Sequence, residues 1–361
     1  MRSVVTILTF AAFCLNASAG FGANLWGLKA GNPELKSAGA LAFGPDGILL
    51  VGDAKAATVF AIQTEDSDSP IKGDLDVANL SKTIAEAVGA DSITVNDLAV
   101  NAESGTAFIS VSKGESGAPA ILQVNGKGEV SEMKLANVPF AKAVLTNAPE
   151  DKVVGRGRRR SNPRNESITD LAYNEGKVFV SGLRSGEASS SVRGLVFPFA
   201  DTNSETSLEI YHGAHGRYED NRAIRTFIPF NIEGEPHLLA GFICTPLVKF
   251  PVKGLDSDRL RATTVAELGN RNRPLDMVVY KQDGKDYVLM ANDRRGVMKI
   301  STDDISRKEG ITERIDGKAG QSYETIEDMK GVVQLAKLSD QYAVVIVQDG
   351  DSQSLKSVVM P

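Results

Sequence analysis

Six times along this chain the same order recurs: a short apolar strand, a tight turn, a longer apolar strand, a polar connection and a third strand. The units are Gly39 to Ile62, Val95 to Val124, Ile168 to Phe199, Thr226 to Val252, Leu275 to Ile300 and Val332 to Met360. Aligned on Leu41, Leu98, Leu171, Phe227, Met277 and Val333, they return at intervals of roughly 50 to 73 residues. That is somewhat above the roughly 40–50 of common blade repeats. A unit of two or three strands cannot bury both faces by itself, so successive units must stack on one another. Asp46-Gly47, Ser104-Gly105, Glu175-Gly176, Glu233-Gly234 and Asp283-Gly284 place Gly at one offset of the repeat, where a tight hairpin needs φ > 0. The sixth unit has Asp340-Gln341 there and departs from the pattern.

Radial repetition of short sheets predicts an all-β chain, a six-bladed β-propeller. Seven blades follow if Phe21 to Leu35 or Ala136 to Val144 adds a cryptic unit. Phe21 to Leu35, or the C-terminal strand near Val358, is expected to close the ring. Between the first two units, Asn79 to Gly89 sets Leu80, Ile84, Ala87 and Val88 at helical spacing, which predicts one short helix. Asp151 to Asn165 carries Arg156, Arg158, Arg159, Arg160 and Arg164 without apolar periodicity and reads as a loop, either simply solvated or able to clamp an anion.

The first residues read as an address. Arg2 precedes the apolar run Val4 to Leu15, and Ala17-Ser18-Ala19 offers a small-x-small cleavage site before Gly20. The run is too short for a membrane span of about 20 residues. We therefore expect a signal peptide over 1–19 and one domain over 20–361, exported to the periplasm or the extracellular space, with no membrane insertion. The net charge of −6 argues against nucleic acid as a partner. Of the two cysteines, only Cys244 follows the leader, which leaves no intrachain disulfide and no C-x-x-C-H haem attachment.

Within the repeats, Leu41-Ala42-Phe43 through Pro45-Asp46-Gly47 to Leu49, Val51 and Asp53 resembles the repeat of NHL and gluconolactonase-like (senescence-marker) propellers. Asn96-Asp97-Leu98-Ala99-Val100 is similar to that family's N-D-G strand, and Asp170 and Asp276 fall where it has a P-D-G aspartate. The resemblance implies a metal at the channel mouth held by Asn96, Asp97, Asp170 and Asp276. Leu or Met stands here where the family has Gly after each Asn or Asp, and the family's opening E-G-P strand is missing.

Read from the residues alone, Asp97, Asp170 and Asp276 share one repeat position at the mouth of the channel. Ca2+, which takes six to eight oxygen ligands, suits such a ring. The alternative is that each carboxylate caps its own strand or accepts N–H groups across blades. Asn270-Arg271-Asn272-Arg273 approaches the same mouth and could neutralise the ring; Arg271, Arg273, Asn292 and Asp293 are assigned to ligand binding. All three histidines lie between His212 and His237. His212-Gly213-Ala214-His215, with Glu219 and Asp220 behind it, suits a second metal, zinc or copper, or else a structural role. His237 lies on a strand and is expected in the core. Cys244-Thr245-Pro246, at a turn, offers either a nucleophile or an inert thiol.

The chain shows no nucleophile elbow, P-loop or dinucleotide fingerprint. The leading reading is a propeller that binds a small ligand or a protein partner at one face of its channel, without assignable catalysis. A Ca2+-dependent hydrolase of lactonase or arylesterase type is the alternative, and a periplasmic partner of a redox system is a third.

Overall fold

A computed structural model describes residues 26–361, except 67–68, 158–159, 200–202 and 245. The expected leader, its cleavage site and the start of Phe21 to Leu35 lie outside the described residues, as do Arg158 and Arg159. No helix among the described residues is long and apolar enough to cross a membrane.

The chain is a six-bladed β-propeller, and each sequence repeat supplies the inner strands of one blade. Blade one begins with Leu41–Phe43, Ile48–Asp53 and Thr58–Gln63; blade two is Ile93–Asn101, Thr106–Lys113, Ala118–Val124 and Val130–Glu132. Blade three runs Asp170–Asn174, Lys177–Leu183, Ser190–Val196 and Asn203–His212, with the hairpin strand Arg217–Glu219 beyond it and Arg259–Arg261 pairing in parallel at its edge. Blade four is Thr226–Ile232, Glu235–Gly241, Pro246–Pro251 and Thr263–Glu267, edged by Ala319–Gly320. Blade five is Pro274–Gln282, Lys285–Asn292, Gly296–Ser301 and Tyr323–Ile326; blade six starts with Val332–Lys337, Tyr342–Asp349 and Ser352–Val359. The turns are as their chemistry requires. Glu175 and Gly176 have φ 47° and 79°, and Asp283 and Gly284 have φ 50° and 79°, so both central residues occupy the left-handed region that a type I′ hairpin demands.

Two strands too short to read from sequence decide between the two expected closures. Lys29–Gly31 does not close the ring; it pairs with Val138–Val144 at the outer edge of blade one. Val138–Val144, the core of the cryptic unit that would have made a seventh blade, is instead the fourth strand of blade one. The C-terminal strand Ser352–Val359, the other expected closure, does close the ring: it is the third strand of blade six and pairs with Asp76–Val77 from the early part of the chain, which adds the fourth.

The blades do not follow one another in chain order. Inner strands touch in the cycle one, two, six, five, four, three and back to one. Blade two is thus an insertion between the third and fourth strands of blade one, and it fills the gap between blades one and six. Packing says the same: each of the six hydrophobic clusters joins one adjacent pair of that cycle. Phe108, Ile121 and Leu49 lie between blades one and two, and Val178, Val180 and Leu50 between blades one and three. The helix Leu80–Ala87 forms where its spacing predicts; it buries Leu80 and Ile84 in the cluster between blades two and six, beside Val344 and Ile346.

Candidate functional site

The innermost strands of blades two, three and five begin at one face of the channel and carry Asp97, Asp170 and Asp276. These blades alternate round the ring with one, four and six, so the three carboxyls obey a pseudo-threefold rule. Each first oxygen caps its own strand: Asp97 Oδ1 accepts from Leu98 N at 2.9 Å, Asp170 Oδ1 from Leu171 N at 2.7 Å, and Asp276 Oδ1 from Met277 N at 2.8 Å. Each second oxygen accepts from the inner strand of the neighbouring blade, always on the same side. The donors are Leu41 N to Asp97 at 2.6 Å, Phe227 N to Asp170 at 2.7 Å, and Leu335 N to Asp276 at 2.8 Å. Gln334 of blade six bridges two of them, its amide nitrogen donating to Asp97 Oδ1 at 3.0 Å and Asp276 Oδ2 at 3.2 Å.

Solvent touches these carboxyls along the wall of the channel, so each remains half-buried by surface area although protein encloses it deeply. Burial, then the Asp170 charge, pushes Asp97 up to about 8 against the hydrogen bonds from Leu41 and Leu98. Burial raises Asp170 to about 7 against those from Phe227 and Leu171, and burial followed by the Asp97 charge lifts Asp276 well above the usual carboxylate range. Repulsion is therefore real but secondary to desolvation.

Above the ring opens a cavity of about 530 Å³. Its floor is the three aspartates with Asn96 and Gln334; its rim carries Arg225, Arg273 and Glu166. Asn96 spends its amide on the fold, donating to Ala38 O at 2.7 Å and Ser112 Oγ at 2.9 Å. Arg225 is paired with Glu166 at 2.6 Å. Arg273 is different: its backbone N–H donates to Asp293 Oδ1 at 2.8 Å, but its exposed guanidinium makes no ion pair or hydrogen bond with any described side chain. Desolvation, then the Arg225 charge, lowers its pKa. Neither Arg271 nor Arg273 bonds the aspartates, so the expected neutralisation of the ring does not occur. Arg271 lines a shallower hollow with Arg273, Asp293 and Ile243. Asn292 is buried and holds Asn272 at 2.9 Å, while Asp293 fixes the Arg273 backbone.

The same face carries a second cluster. In each blade the second strand ends, and the third begins, level with the start of the first, so the turn holding Cys244 stands at the channel-mouth face of blade four. The antiparallel fourth strand of blade three ends there too, at His212. Glu219 joins both imidazoles: its Oε2 meets His212 Nδ1 and its Oε1 meets His215 Nδ1, each at 2.9 Å. The two rings lie 3.8 Å apart between centroids. Burial raises the Glu219 pKa, but hydrogen bonds from His212, His215 and Arg217 outweigh it and bring the carboxyl down to about 2. Burial lowers His212, against its bond to Glu219. Beside them, burial lifts Glu267 to about 7 although its carboxylate accepts the Gly213 and Ala214 N–H groups. Asp220 turns away to Arg259 at 3.0 Å.

His237 is not in the core as expected: it is half-buried near the start of the second strand of blade four, its Nδ1 donating to Glu235 O at 2.9 Å. In the basic loop, Arg164 is tied to Pro149 O at 2.5 Å, whereas Arg156 and Arg160 are exposed. Sequence reasoning missed Gln334, Arg225, Glu166 and Glu267. Of these only Glu267 left a signal, as a lone charge in the apolar stretch Val265 to Leu268.

No family model matches the chain, and no curated protein is similar to it. Among solved structures it is similar to the PQQ-bound aldose sugar dehydrogenase of Streptomyces coelicolor, at 12% identity and a TM-score of 0.36, covering 92% of this chain and 96% of that one. The apo soluble aldose sugar dehydrogenase of Escherichia coli gives 13% and 0.33, covering 92% and 98%. The full extracellular region of plexin A4 gives 8% and 0.45, covering 92% and 40%. None of these likenesses is close enough to transfer an activity.

Proposed function

We propose that the chain is a ligand-binding propeller whose channel mouth takes a small hydroxylated anion. The observation that carries this reading is the Arg273 guanidinium, which no described side chain pairs, at the rim of a cavity of about 530 Å³. Pockets of roughly 300–1,000 Å³ are the usual size for small ligands. A guanidinium matches a carboxylate or phosphate through two parallel N–H donors. Below it, the side-chain carbonyl oxygens of Asn96 and Gln334 offer acceptors, and the three aspartyl groups with raised pKa values offer acceptors or, when protonated, donors suited to hydroxyl groups. A carboxylate at Arg273 with hydroxyls pointing into the channel uses both layers.

The test is a thermal-shift series with citrate and gluconate, against an uncharged polyol as control. The hydroxy-acids should raise the melting temperature of the wild type and lose that effect in Arg273→Ala. Equal shifts in both proteins, or no shift with either acid, would falsify the reading. A second reading, a Ca2+ ion at the ring, is favoured by the gathering of three carboxyls, of which burial and, second to it, the neighbouring carboxylate charge raise Asp97 and Asp276. That ion could polarise a carbonyl in a hydrolase. It requires Ca2+ to stabilise the wild type and not Asp170→Asn.

A further inference from the structure

We propose that His212, His215 and Cys244 form a metal site for a borderline or soft transition ion such as Zn2+, built across the junction of blades three and four. It is independent of the ligand proposed for the channel. Among the described residues, these are the one group of three potential ligands whose donor atoms all lie within 4.8 Å of one another; the aspartate ring is not such a group.

The donor set is specified by what surrounds it. Glu219 takes both Nδ1 atoms, and a carboxylate only accepts, so both imidazoles carry their proton on Nδ1. The lone pairs then lie on Nε2, which is the tautomer that binds a metal. A carboxylate behind ligating histidines is the usual outer-shell arrangement, and here one carboxylate orients two rings. His212 is 3% exposed, and its Nε2 is buried with no hydrogen-bond partner. A buried polar atom without a partner is destabilising, so it calls for a ligand. Cys244 supplies the third donor from the neighbouring blade. It holds φ 67°, a conformation costly for a residue with a Cβ, and its N–H is pinned to Asn272 O at 2.8 Å.

Zn–N and Zn–S bonds of about 2.0 and 2.3 Å place ligand atoms roughly 3.5 Å apart in a tetrahedron. From separations of up to 4.8 Å, the three donors thus need to close by at most about 1.3 Å. Exposed His215 lies in a turn between Gly213 and Gly216, where that movement is available. Two neutral imidazoles and one thiolate leave a fourth position open to water or a small ligand. Binding converts the Cys244 thiol to thiolate and releases one proton per ion.

The test uses the full chain, stripped with EDTA and titrated with Co2+ alone. We expect visible bands of tetrahedral strength and a near-ultraviolet thiolate-to-cobalt band, both saturating at one equivalent and bleached by Zn2+. Cys244→Ser should lose the thiolate band, and His215→Ala, an exposed position that leaves folding intact, should weaken binding at least tenfold. Glu219→Gln should weaken it by about 10–100-fold, the usual cost of an outer-shell partner. Absence of a saturating band, or a thiolate band that survives in Cys244→Ser and so belongs to Cys14, overturns the site.

Discussion

The aspartate ring and the His212–His215–Glu219 cluster both gather titratable side chains on one face of the propeller, yet they are finished to different degrees. Every carboxylate oxygen of the ring accepts a backbone N–H, one from its own strand and one from the next blade. In the cluster, His212 Nε2 and the nearby Glu267 Oε2 are buried without partners. A group whose bonding capacity the fold consumes is acting as a clasp. Capacity left over marks a place prepared for something else. The ring thus belongs first to architecture; in the proposed reading its channel becomes a site through Arg273 above it, whose guanidinium no described side chain pairs.

The largest effect that could break this contrast is removal of a clasp. Asp170→Ala strands the Leu171 and Phe227 N–H groups at the junction of blades three and four. Each unsatisfied buried donor costs about 1–3 kcal/mol, so for the two a loss of about 2–6 kcal/mol is expected by urea denaturation. Asp170→Asn keeps one acceptor and should lose less. A clasp role does not survive an alanine variant as stable as the wild type.

The next effect is pH dependence of the metal-free protein. An aspartate with a folded pKa raised above its unfolded value near 3.8 binds more protons when folded. Stability from the ring is then full below about pH 4 and falls as pH rises towards 7 for Asp170 and 8 for Asp97. Glu267, raised to about 7, adds to this slope. His212, lowered by burial, opposes it near its unfolded value of 6.5, and Glu219, at about 2, adds stability above its unfolded value of 4.5 that is lost only as pH falls towards 2. Urea midpoints should drop between pH 5 and 8 by more in the wild type than in Asp170→Asn. A flat profile in both would show that the carboxyls ionise freely.

These residues also divide what sequence could reveal from what it could not. Gly176 and Gly284 announced their hairpins because a left-handed φ is a local demand with a local answer. The three aspartates were visible through their common repeat position, as was the alternative that they bind backbone groups. The insertion of blade two was not visible. Its evidence is pairing across long separations, such as Ala143 with Val59, and strands as short as Asp76–Val77. For the same reason His212 and Cys244 appeared as separate curiosities: they come from different blades, and only the ring brings them together.

Removing Glu219 sharpens the comparison from the other side. Glu219→Ala leaves two imidazole Nδ1–H groups without their acceptor, one on a buried ring. We expect a cost of about 1–3 kcal/mol, smaller than the loss of a clasp because His215 can turn to water. A cost equal to that of Asp170→Ala would mean that the cluster is as much a part of the architecture as the ring.

The smallest effect concerns Arg217, which shares Glu219 Oε1 with His215 at 2.9 Å while its own side chain is 68% exposed. Among the described residues it is the one arginine or lysine paired with Glu219, and water reaches most of it. An exposed pair of this kind contributes about 0–1 kcal/mol, screened by salt. Arg217→Ala should therefore lower stability by less than about 1 kcal/mol, with the difference shrinking further in 1 M NaCl at a Debye length of about 3 Å. It should also leave Co2+ affinity nearly unchanged, since Glu219 keeps both Nδ1 bonds. If Arg217→Ala instead weakens Co2+ binding as strongly as Glu219→Gln, the guanidinium rather than the two imidazoles holds the carboxylate in place, and the orienting role given to Glu219 must be reassigned to the pair.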